Sequence, residues 1–221
     1  MCIIAFKPAK FFMLQSQTVS APLLALLKQL MAIESLKDFV LVGGTNLALR
    51  KGHRISIDID LFTNTDFVTN DILPVLQAQY PLLTVSEQRQ TSLLCWVDDI
   101  KVDFIRHNYP YVAEPEVIDG IRLASEKDVI AMKLNAVAQR GARKDFWDIA
   151  VLLDDYSVAD MLACYTAKYA ANDVYFVVRS LTYFEDADNK THEAIQSLTD
   201  MTWEQVKQKI TTAVAAFLST I

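Results

Sequence analysis

Apolar and polar positions alternate between residues 55 and 61, which predicts a β-strand because successive side chains of a strand point to opposite faces. The polar positions of this segment are Ser56, Asp58 and Asp60, and the apolar positions are Ile55, Ile57, Ile59 and Leu61. Upstream, an apolar run over residues 39–42 ends at Gly43 and Gly44, and apolar residues at helical spacing follow as far as Gly52. The stretch 39–62 therefore predicts a strand, a glycine turn, a helix and a second strand.

A second region of alternation predicts antiparallel strands at about 82–88, 92–97 and 100–105. Asp98 and Asp99 separate the last two of these segments and predict a tight turn. Asp103 lies in the last segment, so we expect it to be a third strand carboxylate. The sequence allows its strand to lie beside the one that carries Asp58 and Asp60.

Helical spacing of apolar residues dominates the rest of the chain. Ser20 and Ser125 occupy positions typical of helix N-caps, and Thr202 with Gln205 predicts a capping box. Helices are predicted at 23–33, 71–79, from Ser125 to Gly141, and at 144–153, 157–170, 173–184 and 203–218. Pro74 would lie in the first turn of the helix at 71–79 or kink that helix. The predicted fold class is α+β, with a mixed half (1–120) and an all-helical half (121–221). Residues 1–18 are predicted to be a poorly ordered leader.

The composition excludes several classes of protein. The 221 residues carry a formal charge of −6, which does not favour a surface that binds nucleic acid all over, although His53, Arg54 and the segment 140–144 could form local basic patches. No apolar run is long enough to span a bilayer, so we expect no membrane partner. The three cysteines are far apart in the sequence, which favours a reducing cytoplasm over a disulfide framework.

The glycine turn and the strand carboxylates together match the needs of two-metal nucleotidyl transfer. Glycines let backbone N–H groups approach a triphosphate closely, and Thr45 adds a hydroxyl. Asp58, Asp60 and Asp103 can hold two Mg²⁺ ions, roughly 3.5–4 Å apart in such sites, with Mn²⁺ as an alternative. The sequence therefore predicts an enzyme that moves a nucleotide from an NTP to an acceptor. Asp103 could also accept the proton of the attacking hydroxyl.

Four segments resemble one known family. They are, in chain order, LLKQLMAIESLKDFVLV, GGTNLALRKGHRISIDIDLF, KVDFIRH and ASEKDVIAMKLNAVAQRGARKDFWDIAVLL. They resemble the motifs of the AbiEii/AbiGii toxin family of nucleotidyltransferases, within the DNA polymerase β-like superfamily. The resemblance covers about residues 20–155, and the helical C-terminus adds no motif. It implies a nucleotidyltransferase core with a mixed β-sheet flanked by helices, followed by an all-helical C-terminal domain.

The resemblance also implies roles for particular residues. Lys133 would contact phosphate oxygens, Asp145 and Asp148 would complete the catalytic set, and Ser56 would lie near the catalytic metal. The expected catalytic residues are Asp58, Asp60, Asp103, Lys133, Asp145 and Asp148, and the expected nucleotide-binding residues are Gly43, Gly44, Thr45, Arg54, Ser56 and Lys133. The family further implies the toxin of a toxin–antitoxin or phage-defence system, a cognate antitoxin as partner, and RNA such as tRNA, or a protein, as acceptor.

Structural roles compete with some of these assignments. Asp145 and Asp148 are three positions apart on one helical face and could instead form salt bridges with the basic residues of 140–144. Arg54 could reach a phosphate or orient a carboxylate, whereas we expect His53 to be a solvated loop residue. Two other functions also fit the pattern. They are nucleotide transfer to a small cationic molecule such as an aminoglycoside, which the acidic net charge suits, and a non-catalytic NTP-binding module.

Overall fold

The structure is a computed structural model that describes residues 13–171, 173–189 and 195–220. Residues 1–12 of the predicted leader lie outside this part. The last residues of the predicted leader pack on the body of the protein. The Gln15 N–H donates to the Leu49 carbonyl at 2.8 Å, and the Thr18 carbonyl accepts from the Ser56 N–H at 2.8 Å. Within the described residues, no helix combines the length and apolar character that crossing a bilayer requires.

The described residues form one mixed sheet of seven strands. They are β1 (Val40–Leu41), β2 (Asp58–Thr63), β3 (Thr84–Arg89), β4 (Ser92–Val97), β5 (Ile100–Arg106), β6 (Glu116–Ile118) and β7 (Ile121–Leu123). The strand order is β3-β4-β5-β2-β1-β7-β6. Strand β2 is parallel to β5 and antiparallel to β1, while β1 is parallel to β7. The predicted neighbourhood of the two aspartate-bearing strands is therefore confirmed.

Helices precede the sheet, connect its strands and form the C-terminal part. They are α1 (Ala21–Ala32), α2 (Gly43–Lys51), α3 (Thr69–Gln79), α4 (Glu126–Arg140), α5 (Arg143–Leu152), α6 (Val158–Tyr169), α7 (Tyr175–Ser180), α8 (Glu185–Asn189) and α9 (Trp203–Leu218). The predicted N-caps at Ser20 and Ser125 accept backbone N–H groups, and Thr202 with Gln205 forms the predicted capping box.

Two apolar clusters stabilise the fold, and both join the mixed half of the chain to the helical half. One cluster packs α1 and α3 against the sheet and includes Ile121 and Leu123 of β7. The other cluster packs α4 to α9 and includes Val40, Val42 and Leu47 from the first half. The predicted division near residue 120 falls in the turn between β6 and β7, and it stays a prediction about independent domains.

Three local predictions differ from the structure. Ile57 was expected on the buried face of a strand, but β2 begins only at Asp58 and Ile57 is 71% exposed. The preceding segment leaves the sheet because the Ile55 N–H donates to the Gln196 carbonyl instead. Of the predicted helix 173–184 only α7 (Tyr175–Ser180) is helical, and α8 begins after the predicted end. The helix stops before Thr182, whose hydroxyl bonds the Arg179 carbonyl and competes with helical pairing. Strands β6 and β7 were missed because three residues are too few to show alternation.

Candidate active site

A cleft of about 480 Å³ lies between the sheet and the C-terminal helices. Strands β2 and β5, the N-terminus of α2, and α4 with the start of α5 supply its walls. Its acidic lining residues are Asp58, Asp60 and Asp103, and its basic lining residues are Arg54, Lys101, Lys133, Arg140 and Lys144. In a chain with a formal charge of −6, this local set of cations is a specific feature of the cleft.

The parallel pairing of β2 with β5 places the carboxylates side by side. Asp60 is opposite Asp103, and Asp58 is opposite Lys101. The Lys101 ammonium contacts Asp103 Oδ2 at 2.5 Å, while the buried Oδ1 of Asp103 has no hydrogen-bond partner among the described residues. Removal from water, together with the negative charges of Asp103 and Asp58, raises the pKa of Asp60 above 3.8. The negative charge of this cluster is therefore only partly compensated by protein groups.

These groups fit a divalent cation in their chemistry. Carboxylate oxygens are the ligands that Mg²⁺ prefers, and a cation would satisfy Asp103 Oδ1 and relieve the repulsion at Asp60. As the side chains stand, no group of three or more His, Cys, Asp or Glu residues in the described part is arranged to hold a metal ion. Metal binding by Asp58, Asp60 and Asp103 thus stays a prediction.

The glycine turn brings backbone against the carboxylates. Gly43 has φ +69°, and a Cβ there would lie 2.3 Å from Asp60 Oδ2. A Cβ on Gly44 would lie 2.3 Å from Arg54 Nη2. Both glycines are thus needed for the close approach of the backbone to Asp60 and Arg54. They also begin α2, and the N-cap residue Val42 offers no side-chain acceptor for the first N–H groups of that helix. Such a helix N-terminus favours an anion, which supports the predicted phosphate role of the pair.

Ser56 and Thr45 have different positions relative to the cleft. Ser56 lines the cleft, and its hydroxyl accepts from the Thr45 hydroxyl at 2.8 Å. Thr45 is buried, also bonds the Asp58 carbonyl, and does not line the cleft. In this structure Thr45 joins α2 to the start of β2 and orients Ser56. Its predicted contact with nucleotide has no further support.

Arg54 is held by Asp148 at the cleft wall. Its Nε and Nη2 donate to the two carboxylate oxygens at 2.7 and 2.9 Å, and its Nη1 donates to the Ile55 carbonyl at 3.1 Å. These three bonds use three of the five N–H groups of the guanidinium, and two of them grip Asp148 in a bidentate pair. Of the two roles that the sequence left open for Arg54, this geometry favours orientation of a carboxylate over a direct phosphate contact.

Lys133 projects from α4 into the cleft and has two carboxylates behind it. Its Nζ lies 2.7 Å from Asp148 Oδ2 and 3.1 Å from Asp145 Oδ1. Burial alone would lower the pKa of Lys133, but Asp148 and Asp145 outweigh it and raise the pKa. The ammonium therefore stays charged at neutral pH and can meet a phosphate.

Asp145 and Asp148 lie behind the cleft surface. Both are fully buried, and neither lines the cleft. Asp145 pairs with Arg140 and Lys133, whereas Asp148 pairs with Arg54 and Lys133 and also accepts from His53 Nε2 at 2.7 Å. Burial alone would raise the pKa of Asp148, but Arg54 and Lys133 hold it well below 3.8. This geometry supports positioning roles rather than contact with the reacting atoms.

His53 is the residue of this network that sequence reasoning missed. We expected a solvated loop residue, but its side chain is 1% exposed and bonded to Asp148. The expectation was wrong because the segment 53–56 is paired with 196–198, through the His53 carbonyl to the Leu198 N–H and the Ile55 N–H to the Gln196 carbonyl. Its position next to Arg54 was the available signal.

A family model described as "Nucleotidyl transferase AbiEii toxin, Type IV TA system" matches residues 25–92 and 94–218 of the chain. The chain belongs to this family. The resemblance found in the sequence is confirmed, and the match extends beyond residue 155 into the helical C-terminus, where the sequence offered no motif.

This AbiEii family member is also similar to one protein in sequence and to solved structures in fold. A protein of Aquifex aeolicus (strain VF5) is 33% identical over 188 residues, which cover 82% of this chain and 89% of the relative. Among solved structures, JHP933 from Helicobacter pylori superposes with a TM-score of 0.60 at 16% identity, covering 90% of this chain and 89% of that one. MenT4, a nucleotidyltransferase toxin from Mycobacterium tuberculosis H37Rv, gives 0.58 at 14% identity, covering 89% and 82%. The two structures confirm the predicted fold class.

Proposed function

We propose that this AbiEii family member is a Mg²⁺-dependent cytoplasmic toxin that transfers a nucleotide from an NTP to an RNA hydroxyl. One observation carries the proposal. The carboxylates of β2 and β5 meet the N-terminus of α2 in a single cleft, together with a basic wall formed by Lys133, Arg140 and Lys144. The carboxylates suit the metal ions of a triphosphate, and the helix N-terminus suits its phosphates. Neither group alone would suit the triphosphate together with its metal ions.

In the proposed reaction the acceptor oxygen forms a bond to the α-phosphorus. The bond from the α-phosphorus to the oxygen that bridges to the β-phosphate breaks, and pyrophosphate leaves with that oxygen. Metal ions held by Asp58, Asp60 and Asp103 would supply charge neutralisation and a more acidic hydroxyl. The chain's own contribution is mainly to position the reactants and to provide fixed charges.

Each group of the cleft has a proposed part in this reaction. The backbone N–H groups that begin α2 at Gly43 and Gly44 bind phosphate oxygens, with Ser56 beside them. Lys133 neutralises phosphate charge from the opposite wall. Asp103 also accepts the proton that leaves the attacking hydroxyl.

The basic wall supports RNA as the acceptor. Lys133, Arg140 and Lys144 lie along α4 and the start of α5 and face the same cleft. A polyanionic acceptor needs such a surface, whereas a small cationic acceptor would be repelled by it. Because the family is a type IV toxin–antitoxin family, we also propose that an antitoxin counteracts the chain in its host.

A transfer assay tests the chemistry. The protein is incubated with each α-³²P-labelled NTP, Mg²⁺ and total bacterial RNA, with parallel reactions that offer bacterial protein or an aminoglycoside instead. We expect label in RNA, none with EDTA, and none with Asp58→Ala, while Asp66→Ala transfers normally because Asp66 is an exposed carboxylate outside the cleft. Label only in protein or in the aminoglycoside would replace the acceptor class. No label anywhere, with pyrophosphate release absent as well, would reject the enzyme.

A growth assay tests the toxin role. Induced expression in a bacterium without the adjacent genes should arrest growth for wild type and for Asp66→Ala, but not for Asp58→Ala at equal protein level. Co-expression of a neighbouring gene from the source operon should restore growth. Equal growth of all three strains would contradict a toxic activity.

A further inference from the structure

A second groove of about 410 Å³ adjoins the cleft on its helical side. It lies between the C-terminal end of α4 and the segment that runs from α7 into α8. The residues that carry its chemistry are Arg140, Phe176, Arg179, Tyr183 and Asp186. Arg140 lines both the groove and the cleft, so a ligand in one lies next to a ligand in the other.

Aromatic rings are displayed to solvent along this groove. Phe176 is 63% exposed and Tyr183 is 50% exposed. The Tyr183 hydroxyl donates to Glu185 Oε2 at 3.1 Å, which fixes the ring at the groove. Exposed aromatic residues that cluster around a concavity are a common property of binding sites.

The charges of the groove favour an anion. Arg179 forms no ion pair with any residue that the structure describes, and Arg140 presents a side chain that is 55% exposed while it pairs with Asp145. Asp186 is the acidic residue of the lining, so two guanidinium groups face one carboxylate. Aromatic faces beside guanidinium groups are the combination that proteins use to stack unpaired bases and to neutralise their phosphates.

We propose that this groove binds the unpaired terminal nucleotide of the RNA acceptor. The terminal base stacks on Phe176 and Tyr183, Arg179 and Arg140 contact the phosphates, and the terminal hydroxyl enters the cleft past Arg140. This inference rests on the proposed function, because it requires an acceptor with a nucleobase and phosphates.

The donor NTP has another place for its base. Ile55, Ile57 and Ile195 line the cleft itself, and Ile57 is 71% exposed there. This apolar surface lies beside the phosphate-binding end of α2 and can cover the donor base without using the groove. The groove is instead lined by Phe176, Arg179 and Ser180 of α7, which do not line the cleft.

Binding measurements without NTP test the groove separately from catalysis. Fluorescence anisotropy follows a 5′-labelled single-stranded RNA of about ten nucleotides as the full chain is titrated. Phe176→Ala and Arg179→Gln are each expected to weaken binding about 10-fold, the effect of one stacking or charge contact. Arg179→Gln should also lower the slope of log affinity against log salt by about 0.7, as one lost phosphate contact does for a single strand.

Two matched variants separate the groove from general surface effects. Tyr175→Ala removes an aromatic ring that is 70% exposed on the same helix but does not line the groove. Arg89→Gln removes an exposed arginine from β3, which lies at the sheet edge. Both should bind the RNA as wild type does, and thermal unfolding should show all four variants to be folded.

Three results would overturn the inference. The first is an RNA affinity of Phe176→Ala and Arg179→Gln equal to that of wild type. The second is an equal loss of RNA affinity in the two control variants. The third is that Phe176→Ala and Arg179→Gln weaken binding of a fluorescent NTP analogue rather than of RNA, which would assign the groove to the donor. Failure of the proposed function looks different, because then wild type transfers no label whatever the state of the groove.

Discussion

Asp60 is a residue of the candidate site whose buried charge lowers the stability of the folded protein. Its pKa is raised by burial and by the charges of Asp103 and Asp58, so the folded protein holds this proton at pH values where an unfolded Asp, near 3.8, has released it. The folded state therefore binds more protons than the unfolded state in that window, and stability falls as pH rises through it. Above the folded pKa the full cost of the charged carboxylate is present.

Asp60→Asn should therefore stabilise the protein and inactivate it. Without divalent cations at pH 7 we expect the free energy of unfolding to increase by about 0.5–2 kcal/mol, the usual gain from relieving strain at a functional site. The gain should disappear on acidification below 3.8, where wild type is protonated in both states. Nucleotide transfer should fall at least ~100-fold. Urea unfolding at several pH values with EDTA measures the first effect, and a variant less stable than wild type at pH 7 would contradict it.

Asp148 has the opposite effect on stability. Its pKa lies well below 3.8 because Arg54 and Lys133 outweigh the effect of burial. Its contribution to stability is therefore present in full above the unfolded pKa and is lost as pH falls from there through the lower folded pKa. Asp148→Asn leaves the buried Arg54 without its carboxylate partner and leaves Lys133 with Asp145 alone. We expect the variant to be about 3–5 kcal/mol less stable at pH 7, with a difference that shrinks below pH 3.8.

A matched control separates burial from charge alone. Asp154 also pairs with a lysine, Lys209 at 2.6 Å, but its side chain is 64% exposed. Asp154→Asn should lower the free energy of unfolding by less than about 1 kcal/mol, because solvent screens such pairs. Similar losses for Asp154→Asn and Asp148→Asn in urea unfolding would show that the buried network is not a stabilising unit.

At the scale of elements, the start of α2 is adapted to function by its two glycines. Gly43 and Gly120 both have positive φ, +69° and +78°, but a Cβ on Gly120 meets nothing within 4 Å. Gly43→Ala and Gly120→Ala should each lose about 1–2 kcal/mol of stability from the left-handed backbone. Only Gly43→Ala also pushes against Asp60, so it alone should lose transfer activity, by ~100-fold or more.

Thermal unfolding and the transfer assay on both variants check this expectation. Comparable loss of activity in Gly120→Ala would mean that backbone strain anywhere in the fold disturbs the cleft. Full activity of Gly43→Ala would mean that close approach of the backbone to Asp60 is not required for the reaction.

Elements with strong local signals could be predicted from the sequence. The capping box at Thr202 and the turn at Asp98 and Asp99, whose positive φ values suit a tight hairpin, needed no knowledge of distant residues. Alternation allowed the strand of Asp103 to lie beside that of Asp58 and Asp60, as it does, but it did not predict the register that pairs Asp60 with Asp103. His53 and Ile57 could not be predicted, because partners more than 90 positions away determine their surroundings.

At the scale of the whole molecule, the two halves share structure that neither holds alone. Strand β7 pairs with β1 in the first half, and Arg122 donates to the carbonyls of Met31, Leu36 and Phe39. Asn46 in α2 donates to the Ala124 carbonyl. The Lys133–Asp148–Arg54 network then connects α4 and α5 to the strand segment that carries the carboxylates. The cleft therefore depends on contacts that cross residue 120.

A chain that ends at residue 120 should consequently not fold on its own. It would lack β7 and lose one of the two carbonyls that accept from Asn46. It would also expose Val40, Val42 and Leu47, which pack on the C-terminal helices in the full chain. Those side chains supply apolar burial worth roughly 1.5–3 kcal/mol each, which is comparable in sum to the whole stability of a small domain. We expect the 1–120 fragment to show no cooperative thermal unfolding and few dispersed amide signals by NMR, whereas co-expression with 121–221 restores both. Cooperative unfolding of the fragment would instead establish residue 120 as a true domain boundary. It would also show that the first half folds without burying Val40, Val42 and Leu47 against the C-terminal helices.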